Sequence, residues 1–435
     1  MIAPVTFIAL AVLAYALVSK RLASTIVTAP IFFAAAGFVA GPLLGIVDLG
    51  ASDQVLMLLL EAALVMVLFA DSSGLDVRRW TKEPSLSGRL LGIGLPLTMV
   101  AGAVIAALLF AGVEPWQAAL VGVMLAPTDA ALGQAVVANP RVPAVIRNAL
   151  NVESGLNDGL VLPFVTILIT VGLVAGGAET EQHAAEILLL DLGGSTLIGL
   201  VAGLGGGWLI RLAAERGLAA GRWQSIALVA LAAGTFVAAD QVEASGFLAV
   251  WVGGLAAGAI IRGHVADEAF HLPEEIADAL TAVGFLLLGA GLLGPVLARA
   301  TPETFIYAVL SLTVVRIVPV AISMLRTGLA SSTLLYVGWF GPRGLASIVF
   351  AGVVVREAVP NAGEITDVVL LTVAFSLVAH GVTAAWGARR YAAWFERAAA
   401  ADRAIPEAAE VPEGGVYSRG SPRGGMHEAE GGVIM

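Results

Sequence analysis

Residues 151–176 read NVESGLNDGLVLPFVTILITVGLVAG, and this stretch sets the problem of the whole chain. Its second half is an apolar run fit for a lipid interior. Its first half carries two carboxylates, Glu153 and Asp158, with Ser154 and Asn157 between them. An ionisable group at the centre of a membrane helix costs roughly 2.5–3.5 kcal/mol on insertion scales. Acids kept at that depth therefore need partners, a proton, or a water-filled cavity.

The rest of the sequence places the stretch in a membrane. Of 435 residues 58% are hydrophobic and only 13% charged, where soluble domains sit near 25% charged. Runs of about 20 apolar residues, enough to cross a bilayer as a helix, recur along nearly the whole length. Thirteen spans are expected, near 3–19, 28–47, 54–70, 88–111, 116–137, 148–173, 187–210, 224–240, 246–261, 276–297, 304–325, 333–355 and 364–387. The apolar residues 3–18 read as the first of them, not as a removed signal. The absence of cysteine excludes disulfides, thiolate metal sites and cysteine nucleophiles.

Basic residues orient this polytopic all-α chain. The odd-numbered loops and the tail hold 19 Lys and Arg, against two, Arg299 and Arg356, in the even-numbered loops. The positive-inside rule then puts the odd loops and the C-terminus in the cytoplasm and the N-terminus outside. Two arginines remain, Arg316 and Arg343, and both fall inside spans. The tail, 391–435, is rich in Ala, Gly, Pro and Glu and is expected to start as a short helix and end disordered. It has neither a GxGxxG nor a GxxxxGK[ST] run, so nothing points to ATP drive.

Two spans carry breakers beside charge. Span five reads WQAALVGVMLAPTDAALGQAVVA (116–138), with Pro127, Thr128 and Asp129 at its middle; span twelve holds Gly341, Pro342, Arg343 and Gly344. Such breaks survive in lipid only where protein or a cavity satisfies the freed backbone. The two spans run in opposite directions, the pattern of an inverted-repeat transporter with its site at the break. Asp129, Asp158, Arg316 and Arg343 should meet there. On span six, Ser154 and Asp158 share one face by i,i+4 spacing, a hydroxyl and a carboxylate suited to a hard cation or a proton. Glu153 and Asn157 share another, suited to clamping an arginine, either Arg316 or Arg343.

Burial raises an aspartate's pKa and a nearby arginine lowers it, so a site with both is tunable near neutrality. A proton and a cation competing for one carboxylate then give obligate exchange. A membrane-embedded aspartyl protease also needs two aspartates, but carries YD and GxGD around them, where this chain has TD and ND. HExxH is absent. A passive channel needs no titratable carboxylate at its centre. Glu61, in span three, reads first as a structural group, and so does His380, whose alternative is pH sensing. His264 and His271 flank an acidic loop with Asp267 and Glu268 that reads as solvated surface ahead of a metal site. The small residues of GLVAGLGGG (199–207) permit close helix packing.

The motifs APTDAAL (126–132), VESGLNDG (152–159), VVRIVPV (314–320) and WFGPRGLAS (339–347), in this order, resemble the monovalent cation:proton antiporter-1 family, the bacterial Na+/H+ exchangers of the NhaP type. The resemblance covers about residues 1–390. It implies an inverted-repeat antiporter fold with two broken, crossing helices, and a homodimer in the bacterial inner membrane whose core moves in elevator fashion past a dimer domain. It implies that Asp158 alternately binds a cation (Na+ or Li+, with K+ the alternative) and a proton, with Asp129, Ser154 and backbone oxygen at Thr128 completing the cation shell. Asn157 stands where electrogenic relatives have aspartate, which implies electroneutral one-for-one exchange. Glu153 would pair with an in-membrane arginine, Arg316 ahead of Arg343. No cofactor, catalytic residue or nucleic acid is implied. The motif ESGLND departs from the more common ESLLND at Gly155, which should loosen the helix beside the site.

Overall fold

Most of the interruptions of the helices in the computed structural model stand at or beside proline or glycine. The structure describes residues 2–22, 25–46, 54–76, 86–129, 132, 139–401 and 405–408. Arg78, Arg79 and Lys82, residues 130, 131 and 133–138 around the end of span five, and the tail from 409 lie outside the described residues. In chain order the helices are α1 (Ile2–Leu22), α2 (Ala29–Leu43), α3 (Gln54–Gly74), α4 (Leu86–Leu109), α5 (Pro115–Met124), α6 (Ala144–Ala175) and α7 (Glu181–Glu215). They continue as α8 (Gly221–Asp240), α9 (Gly246–Ile261), α10 (Asp267–Arg299), α11 (Pro302–Ser323), α12 (Ser331–Trp339), α13 (Leu345–Arg356) and α14 (Ala362–Ala400). No strand forms among the described residues. Nine of the described helices are long and apolar enough to cross a membrane, and α2, α9 and α13 are shorter apolar helices.

Several helices contain a wide turn with i→i+5 bonding, at Val39–Leu43, Leu90–Gly94, Leu189–Gly194 and Leu288–Leu292. Three of the four have a local cause. Pro42, Pro96 and Pro295 lack the N–H that residues 38, 92 and 291 would accept, and the register widens there. Another interruption, at Thr313 (φ −113°, ψ −90°), splits α11 into Pro302–Leu312 and Val314–Ser323. Nothing at that position in the sequence announces it. The last helix runs unbroken through residue 390 to Ala400. Beyond it Glu407 is buried, accepting from the Ala330 N–H at 2.9 Å and the Thr333 hydroxyl at 2.5 Å.

Contacts sort the helices into two sets. One joins α1–α3 with α7–α10; the other joins α4–α6 with α11–α14. In the first set, Gly199, Gly203 and Gly207 line one face of α7 and let α9 approach so closely that a Cβ at Gly199 would stand 2.4 Å from the Ala249 carbonyl. The second set holds the sequence's buried charges. Between the sets run fewer contacts, and one lies at the motif of residues 151–159: the Trp251 ring of α9 presses on Gly159 of α6, where a Cβ would fall 2.1 Å from the indole nitrogen. Outward-facing leucines, such as Leu17, Leu108 and Leu189, cover the periphery and suit a lipid surround.

Candidate ion-exchange site

Each of the two broken spans ends in backbone groups with no helical partner, and each supplies the cap of the other. A capping box of Glu114 and Gln117 with Pro115 starts α5, and the helix stops at Met124, three residues before Pro127. Its last carbonyls would be unpaired in a dry interior, a cost of several kcal/mol per group on general scales. Arg343, fully buried in the other break, donates Nη1 to the Ala126 carbonyl (2.7 Å) and to that of Pro127 (3.2 Å). The Ser347 hydroxyl donates to Met124 O at 2.7 Å. In return Asp129 accepts from the Leu345 N–H, the first turn of α13, at 3.1 Å through Oδ2, and its own N–H donates to Pro342 O at 2.7 Å. Positive charge thus meets a helix C-terminus and negative charge a helix N-terminus, the favourable sense for both dipoles.

Gly344 is required for that exchange. A Cβ there would stand 1.8 Å from Asp129 Oδ2 and 2.4 Å from Asp129 Cβ. Gly341 serves the same end for the second arginine, since a Cβ would fall 2.4 Å from Arg316 Nε. Arg316 lies under the break and grips Glu153 with two parallel bonds, Nη1–Oε1 2.6 Å and Nη2–Oε2 2.8 Å, both residues 1% exposed. Of the two in-span arginines, Arg316 is the one that faces Glu153.

The face assignment from helical spacing needs correction at Asn157. It does not join Glu153 on an arginine; its Nδ2 donates to Thr128 Oγ1 at 2.8 Å. Ser154, from the neighbouring face, donates to Thr128 O at 2.6 Å. Thr128 sits between the two faces and draws a residue from each. Asn157 is fully buried, and its Oδ1 meets no donor among the described residues. Asp158 is buried one residue along, as is Thr128. The structure therefore ties Ser154 and Asn157 to Thr128 on the non-helical segment that also carries Asp129, with Asp158 buried next in sequence to Asn157 and with Glu153, Arg316 and Arg343 as charged supports. Asp129 differs from its expected part in one respect, because a carboxylate oxygen is engaged in capping α13.

Sequence reasoning passed over Ser347 and Ser376, and treated His380 as isolated. Ser376 Oγ accepts the Arg343 N–H at 2.6 Å, which leaves its hydrogen for His380 Nδ1 at 3.1 Å. His380 Nε2 donates to Trp339 O at 2.9 Å. The fully buried ring thus ties both sides of the break in span twelve. The signal was present as an i,i+4 Ser–His pair inside an apolar run. Of the weaker candidates, Glu61 pairs with Arg356, and His264 with Glu215 at 2.9 Å. Among the described residues no group of three metal-binding side chains forms.

A helical chain with membrane-length apolar helices, in which two interrupted spans cap one another beside buried carboxylates and hard oxygen donors, has the architecture of an ion transporter. The chain belongs to the sodium/hydrogen exchanger family, whose transmembrane model matches residues 8–390. It is 25% identical over 348 residues to the K+/H+ antiporter NhaP of Alkalimonas amylolytica, covering 79% of this chain and 58% of that protein. It is 27% identical over 312 residues to the K+/H+ antiporter NhaP2 of Shewanella oneidensis, covering 70% and 52%. The chain thus spans about half the length of the curated relatives it matches. Its fold is that of the sodium proton antiporter MjNhaP1 from Methanocaldococcus jannaschii, with a TM-score of 0.69 at 19% identity over 89% of this chain and 98% of that one.

Proposed function

We propose that this chain exchanges Na+ or Li+ for H+ across the bacterial inner membrane, one for one and without net charge movement. Asp158 holds cation and proton in turn, and Ser154, Thr128 and Asp129 supply further oxygen. Asp129 does so with the carboxylate lone pairs its cap leaves over. The observation that carries this reading is the tie of Ser154 to Thr128, close in sequence to buried Asp158, on a non-helical segment whose flanking helix ends are already satisfied by Arg343 and Asp129. An ion entering there need not compensate bare helix ends, so its binding energy goes into exchange. Asn157 spends its amide on Thr128 and carries no titrating group, which supports the one-for-one stoichiometry. Thirteen spans arranged as an inverted repeat, with the N-terminus outside, the C-terminus cytoplasmic and a homodimer in the bilayer, complete the proposal. The set holding the site moves past the other in elevator fashion.

A second reading, K+ for H+, draws on the curated relatives, which are K+/H+ antiporters. Both readings meet one experiment: cation-dependent collapse of ΔpH in proteoliposomes with Na+, Li+ and K+ in turn, with and without a potential clamp. Asp158→Asn should abolish exchange with every cation, and the clamp should leave wild-type rates unchanged. Exchange surviving in Asp158→Asn would remove the assignment, and activity with K+ alone would choose the second reading.

A further inference from the structure

Arg299 and Arg356, the two arginines that the charge tally leaves on the outer side, both have partners. Arg299, at the end of α10, holds Asp367 of α14 with two bonds, Nη2–Oδ1 2.6 Å and Nε–Oδ2 2.7 Å. Arg356, at the end of α13, pairs with Glu61 of α3, and its Nε also reaches Glu357 at 3.2 Å. Each pair crosses from one helix set to the other: α3 and α10 belong to the first, α13 and α14 to the second. By contrast Glu153–Arg316, Arg141–Glu396 and Glu215–His264 stay within a set.

Their surroundings are alike too. Both acids are largely covered, at 16% exposure, while the arginines stand 58% and 51% exposed. Glu61 lies seven residues into α3, roughly 10 Å along the helix from its start, and meets Arg356 of the other set there.

We propose that Arg299–Asp367 and Arg356–Glu61 are an outer latch, holding the two helix sets together on the external face, and that both pairs must part before Asp158 can face outward. The inference rests on the alternating-access reading given above. Exposed ion pairs are individually weak, which suits a contact broken in every cycle. Together they bias the orientation equilibrium by roughly fivefold toward the arrangement described.

The chain has no cysteine, so introduced pairs report without background. With the whole chain in proteoliposomes, bridging Arg299→Cys/Asp367→Cys with a bifunctional methanethiosulfonate, long enough to span the lost pair where a direct disulfide is too short, should stop exchange and reduction should restore it in the same sample, which also shows that the variant is folded. Spin labels at Val242→Cys and Gly363→Cys, one on each set, then read the outer seam. Arg299→Gln/Arg356→Gln should raise the long-distance population about fivefold, and the swap Arg299→Asp/Asp367→Arg should return it toward wild type. If the cross-link arrests exchange but the neutralised variant keeps the wild-type distribution, the sets move and the latch is wrong. If the cross-linked protein still exchanges, the motion itself is wrong and the latch falls with it.

Discussion

Glu153–Arg316 and Arg299–Asp367 are nearly the same object in bond geometry. Both are bidentate, with bonds of 2.6 and 2.8 Å in one and 2.6 and 2.7 Å in the other. They differ in solvent. Neither partner of the first exceeds 1% exposure, whereas Arg299 is more than half exposed. Water can replace a lost partner at the outer pair and cannot at the inner one. The inner pair is therefore a fixture of the crossing and the outer pair a contact that thermal motion can break. Bond length says little about what an ion pair does here; access to water says most of it.

The largest effect should come from breaking the inner pair. Glu153→Ala leaves the Arg316 guanidinium buried without its counter-charge, a loss of about 3–5 kcal/mol. It should appear as a large fall in thermal midpoint in detergent or nanodiscs. Removing both charges with Glu153→Met/Arg316→Met should recover most of that stability, since apolar replacement of a buried pair is often neutral. Exchange should stay lost in the double variant, because no cation remains beneath Gly341. Full exchange in the double variant would reduce the pair to a structural brace.

Gly344→Ala comes next. The added methyl has no room beside Asp129, whose Cβ and carboxylate both lie inside contact distance of it. Moving Asp129 aside forfeits the cap on α13, about 1 kcal/mol, on top of about 1–3 kcal/mol for overpacking. Exchange should fall more than stability, because Asp129 belongs to the site as well as to the cap. Proteoliposome flux measured beside the thermal midpoint separates the two. Equal, small losses in both would show that the crossing tolerates a shifted Asp129.

These effects follow from features the sequence disclosed unevenly. The breaks in spans five and twelve were legible because Pro127, Pro342, Gly341 and Gly344 act on their own backbone, and backbone rules are local. That Asp129, Arg316 and Arg343 would lie about the same break followed from counting depth along helices. What each charge touches was not legible, since Glu153 and Arg316 are 163 positions apart and helical spacing orders only one helix. The same limit misassigned Asn157: spacing placed it with Glu153, and the decisive neighbour was Thr128 on another segment. The interruption at Thr313 had no proline or glycine at the site to betray it. Arg299 and Arg356 stood out as anomalies of charge, but their partners lie on other helices.

The smallest effect sharpens the comparison most. Arg141 and Glu396 form a third bidentate pair, with bonds of 2.8 and 3.0 Å, and both residues are about half exposed. Solvent access makes it resemble the outer pairs, yet it joins the segment before α6 to α14, within one helix set. If exposure alone decided function, Arg141→Gln would shift the orientation equilibrium as the loss of Arg299 does. If the crossing between sets decides it, Arg141→Gln should change neither the thermal midpoint nor the label distances across the outer seam. An unchanged distribution in Arg141→Gln beside a shifted one in Arg299→Gln assigns the effect to where a pair sits in the moving assembly. Equal shifts in both would mean that surface charge in general, and no particular latch, sets the resting orientation.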